Sequence, residues 1–95
     1  MFDNKRFITR GINNEIPIIL QLNMWALIDE LKIEKDYLQI FELDEYNGFQ
    51  RIIHSQEQPP YKKEYLCNTG TPFINTKIYV IDDGEYSTML LSNEY

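Results

Sequence analysis

His54 is the only histidine and Cys67 the only cysteine, so any imidazole-assisted nucleophilic chemistry must run through His54, with Cys67, Ser55 or Ser87 as partner. No nucleophile elbow or other family-specific surroundings accompany these residues. A lone histidine on a strand is more often a half-exposed structural residue, and that is the expectation for His54. Asp82, Asp83 and Glu85 flank Gly84 and offer hard oxygen ligands, but their spacing lacks the alternating positions and distal glutamate of a calcium-binding loop. A solvated hairpin turn accounts for them. One cysteine and one histidine cannot close a tetrahedral zinc site without carboxylates. Gly11, Gly48, Gly70 and Gly84 lie far apart, each at an expected turn, so no glycine-rich loop cradles phosphate. The residues imply no catalytic group, no metal and no cofactor.

The elements that would position these side chains fit one small domain. Ninety-five residues give room for a single core. A hydrophobic share of 43% against 25% charged residues is ordinary globular usage, far from the signature of disorder. The longest apolar run, Ile16 to Leu20, is too short to span a bilayer, which takes about 20 residues. The start, Met1-Phe2-Asp3-Asn4-Lys5-Arg6, has no secretory pattern, and a single cysteine excludes an intramolecular disulfide. A cytoplasmic setting is expected. A net charge of -6 disfavours nucleic acid as a partner, because phosphate neutralisation needs a basic surplus.

Arg6 to Arg10 alternates polar and apolar residues and reads as a strand stopped by a turn at Gly11. Asn13, Asn14, Glu15 and Pro17 supply start signals for a helix from about Pro17 to Lys32. Tyr37 to Leu43 and Phe49 to Ser55 form a hairpin around Asn47-Gly48. Gln56 to Pro60 forms a loop or an edge crossing, Tyr61 to Cys67 a weaker strand, and Thr76 to Ile81 pairs with Tyr86 to Leu91. The expected class is α+β, with one amphipathic helix packed on a mainly antiparallel, hairpin-rich sheet.

At 100° per residue, Leu20, Met24, Leu27, Ile28 and Leu31 share the helix face that should meet the sheet. Ile18, Leu22 and Trp25 fall roughly opposite. A sheet covers only one side of a helix, so these three residues form the candidate partner-binding surface, with Trp25 as its anchor. The alternative is that the sheet curls around the helix, or that Tyr61 to Thr76 folds back over it, and buries Trp25, the only tryptophan.

The blocks Phe7 to Asn13, Glu15-Ile16-Pro17, Trp25 with Leu27 to Leu31, Ile52 to Glu57, Pro60-Tyr61-Lys62 and Val80 to Leu91 extend the reading. Through them the chain resembles, over essentially its whole length, a family of small uncharacterised proteins of staphylococci, streptococci and relatives, domain of unknown function number nine-sixty. The resemblance implies a bacterial cytoplasmic setting and carriage by phages or mobile elements, and it brings no site residues.

The leading expectation is a non-enzymatic module that binds a protein partner or another copy of itself. The alternative is a small-molecule-binding domain, with Tyr37, Phe41, Tyr79 and Tyr86 lining a pocket between helix and curved sheet. An enzyme using His54, and an acidic inhibitor that mimics nucleic acid, are further readings.

Overall fold

Alternation of apolar and polar residues, interrupted at Asn47-Gly48 and Asp83-Gly84, builds the centre of the molecule. The computed structural model describes residues 1–95. Its strands are β1 (Lys5–Ile8), β2 (Leu38–Tyr46), β3 (Phe49–Gln56), β4 (Tyr61–Cys67), β5 (Thr76–Asp82) and β6 (Tyr86–Leu91), in one sheet of order β1-β6-β5-β2-β3-β4. Helices α1 (Arg10–Glu15) and α2 (Ile18–Asp29) lie on one face, and a 3-10 turn, Ser92–Glu94, follows β6. The class is α+β, with the sheet as the larger part.

Both expected hairpins are present. In the β2–β3 turn, Asn47 and Gly48 have φ of 51° and 83°, the left-handed pair that matches strand twist. Residues Glu57 to Pro60 make the turn into β4. One pairing departs from the antiparallel expectation: β1 runs parallel to β6, with Phe7 beside Thr88, so the sheet is mixed. A parallel partner 81 positions away leaves no turn signal for local pattern to detect.

Gly11 also departs from expectation. It lies inside α1, which Thr9 caps by accepting the Ile12 N–H. Its missing Cβ is a matter of space, since a methyl group there would come within 2.7 Å of the Glu94 carboxylate. Helix α2 starts one residue after Pro17 and ends at Asp29, three residues short of the expected end.

The core lies between α2 and the sheet. Leu20, Met24 and Ile28 meet Phe41, Leu43, Ile52, Ile78, Val80, Met89 and Leu91, with Phe2 and Ile12 closing the ends. Leu27 is partly buried against this cluster. At roughly 25 cal/mol per Å² of apolar surface, burying each such side chain contributes about 1.5–3 kcal/mol.

Candidate interaction surfaces

His54 is buried at 0% exposure, not half-exposed as expected. It points inward from β3, stacked on Phe41 at 4.4 Å and edge-on to Tyr61 at 5.4 Å. Its Nε2–H donates to Gln39 Oε1 at 2.6 Å. Gln39 Nε2 is itself committed as donor to Gln56 Oε1 and the Asp36 carbonyl, which makes Oε1 the acceptor and assigns the imidazole tautomer. Nδ1 has no partner. Burial lowers the His54 pKa to about 4.

The proposed nucleophiles are directed elsewhere. Ser55 is on the opposite side of β3, Ser87 donates to Asn4, and the Cys67 thiol, its pKa raised by burial, contacts the Gln50 carbonyl at 3.6 Å. The imidazole's polar contact is the Gln39 amide, and its cross-strand neighbour on β4 is Lys63.

The acidic turn is exposed at Asp83, Gly84 and Glu85, as expected, and departs from the expectation at Asp82 alone. Asp82 is buried and accepts hydrogen bonds from the Phe2 and Gly84 N–H groups and from Asn4 Nδ2, which hold its pKa low against the effect of burial. It anchors the N-terminal segment. No group of three or more His, Cys, Asp or Glu residues is arranged to hold a metal.

Helix α2 divides the three residues expected to form a contact surface. Ile18 and Leu22 are 66% and 56% exposed, but Trp25 is 9% exposed and belongs to the core. The cover comes from a distant part of the chain: β1 lies at the edge beyond β6, and its Arg6 covers Trp25 at 4.7 Å while pairing with Asp29. Two aliphatic side chains without their aromatic anchor make a small patch.

On its other flank, α2 leaves β4 uncovered. A helix is about 10 Å across and strands are spaced about 4.8 Å, so one helix cannot roof six strands. The remaining space is an open cleft of about 540 Å³ lined by Leu27, Leu31, Ile33, Tyr61 and Tyr65, with Glu30, Lys32 and Lys63 at its rim. The expected pocket aromatics do not gather here. Phe41 is in the core, Tyr79 and Tyr86 are on the far face of the sheet, and Tyr37 precedes β2 at 52% exposure.

The far face carries no helix. Cross-strand register there aligns Phe7, Thr88, Ile81 and Leu38 in one row, and Leu90, Tyr79 and Ile40 in the next. Tyr86 closes the patch edge-on to Phe7 at 5.3 Å, and Tyr95 packs edge-on to Tyr79. Phe7 and Tyr86 are 48% and 43% exposed, and the central residues are half-buried only by their neighbours. Toward β3 and β4 the same face becomes charged, with Arg51 bridging Asp44 and Glu64 beside Lys62, Lys77 and Glu42.

Sequence reasoning overlooked this surface although a signal was present. Ile78-Tyr79-Val80-Ile81 in β5, and Leu38 with Ile40 beside Phe41 with Leu43 in β2, are apolar on both parities. Such continuous runs belong to strands covered on both faces, whereas a sheet with one wet face alternates cleanly. Here the chain covers one face only.

A family model described as staphylococcal protein of unknown function (DUF960) matches residues 5–94. A crystal structure of a protein of unknown function from Enterococcus faecalis is similar over 98% of this chain and 92% of that one, with a TM-score of 0.82 and 29% sequence identity. Among curated proteins, none matches.

Proposed function

The chain belongs to this family of staphylococcal proteins of unknown function, and on that premise we propose that it is a non-enzymatic protein-interaction module of a Gram-positive bacterium or its phage. It works in the cytoplasm through the uncovered sheet face. The observation that carries this reading is the double-sided apolar character of β2 and β5, in a fold that supplies one layer of cover. Aromatic residues recur on that face, and Phe, Tyr and Trp are enriched where interfaces form. No helix of the chain is long and apolar enough to cross a membrane.

Capture experiments with three baits test the reading: wild type, Tyr86→Glu on the open face, and Ile18→Glu on α2. Proteins retained by wild type and Ile18→Glu but lost with Tyr86→Glu support the sheet face. Equal retention by all three removes it, and loss with Ile18→Glu alone returns the contact to the helix.

A second reading rests on the cleft between α2 and β4, whose apolar lining and tyrosine hydroxyls suit a small amphipathic ligand. Leu27→Trp fills that cleft. A ligand that raises the Tm of wild type but not of the filled variant supports it, and equal shifts in both count against it.

A further inference from the structure

We infer that the occupant of the open sheet face is a second copy of this chain, in a two-fold stack of sheet on sheet. The inference rests on the interaction reading above and names the partner.

The open face carries Lys5, Arg51, Lys62 and Lys77 against Glu42, Asp44 and Glu64, a net of +1, in a chain whose net charge is -6, so the rest of the molecule holds -7. The apolar half, from Phe7 through Tyr79 to Ile40, contains no carboxylate, although the chain has 15. A strongly acidic or strongly basic partner would need an open face of one sign. A second copy needs a face that is locally neutral and self-complementary, with the surplus carboxylates directed away, and that is the distribution present.

Six strands spaced about 4.8 Å and about seven residues long at about 3.4 Å each give a face of roughly 700 Å² in projection. A standard stable interface takes about 800 Å² per partner, and side-chain relief brings the accessible area of this face to that scale. Sheets that stack in this way align within about 30° and interleave side chains across about 10 Å.

Sedimentation equilibrium of the full chain over about a hundredfold concentration range tests this, with folding of every variant checked by circular dichroism. Wild type should fit a monomer–dimer equilibrium. Tyr86→Glu, or Phe7→Glu should the first fail to fold, places a carboxylate on the seam in both copies and should weaken association by about a hundredfold. Ile18→Glu should leave association unchanged. Raising salt should strengthen the dimer slightly, because it screens repulsion between two copies of net charge -6. A wild type that is monomeric throughout overturns the second copy as occupant, while the capture experiment separately decides whether the face has another. A dimer that survives both seam variants, or that dissociates with Ile18→Glu, also overturns it.

Discussion

The carboxylate of Glu94, next to the last residue, fills the space that a side chain at Gly11 would occupy. Its Oε2 accepts the Gly11 N–H at 3.1 Å, and its Oε1 accepts the Thr9 hydroxyl at 2.6 Å and the Leu91 N–H at 2.8 Å. One side chain thereby joins the start of α1 to the end of β6.

In most helices, glycine to alanine stabilises by about 1 kcal/mol. Gly11→Ala should give no such gain, because the new methyl group evicts the Glu94 carboxylate. Once Glu94→Ala has removed that carboxylate, adding Gly11→Ala should recover about 0.5–1 kcal/mol. Urea midpoints for the four members of this cycle measure the coupling, and additive effects would show that the contact is not formed.

Stability should fall on acidification in two separate windows. His54 is neutral in the fold, with its pKa lowered to about 4 by burial. The unfolded chain takes up a proton near pH 6.5 that the native state refuses, so stability is full above that pH and declines as pH falls toward 4, by roughly 3 kcal/mol. The carboxyls of Asp44, Asp83 and Glu94, each held low first by its hydrogen bonds, contribute stability that is present above their unfolded pKa. That contribution is lost at more acid pH, as they protonate in the folded state. Urea midpoints between pH 7 and 4 for wild type and His54→Leu measure the first window, which the substitution should flatten.

Trp25→Ala should destabilise the fold by about 3–5 kcal/mol, as expected for a large core aromatic. Ile18→Ser, at an exposed position, should stay within about 0.5 kcal/mol. Thermal denaturation distinguishes the two, and a stable, folded Trp25→Ala would place the indole outside the core.

Phe2 has φ of 67° and is 1% exposed, held by the bond from its N–H to Asp82. Left-handed backbone at a non-glycine residue costs about 1–2 kcal/mol. Asp82→Ala removes the acceptor that offsets this cost and should destabilise by about 2–3 kcal/mol. Hydrogen exchange should then show the Phe2 and Gly84 amides, both of which donate to Asp82, unprotected while the β2–β3 amides stay protected. Loss of protection throughout the sheet would mean that Asp82 supports more than the N-terminal segment.

The hairpins were legible because their information is local: Asn47-Gly48 dictates a turn, and the flanking residues alternate. The site was less legible, for a physical reason visible in β3. Its inward positions are Gln50, Ile52, His54 and Gln56, and its outward ones Phe49, Arg51, Ile53 and Ser55, so polarity does not say which side is the core. The inward amides are satisfied by distant groups, as where Gln50 accepts the Ile74 N–H and donates to the Ile74 carbonyl, and Gln56 donates to the Glu34 carbonyl. The burial of Trp25 likewise depends on β1 reaching the far edge of the sheet, which no spacing near residue 25 reveals.

The two sheet margins set a limit on growth. Strand β1 is four residues long, and β4 carries Lys62, Lys63 and Glu64 in succession, all exposed. A short margin and a charged one both resist the addition of further strands. Sideways extension into a ribbon is therefore blocked, and the remaining direction is perpendicular to the sheet. A pair stacked in that direction has helices on both outer surfaces and no apolar layer left to recruit a third copy, so the same residues that would favour pairing also terminate it.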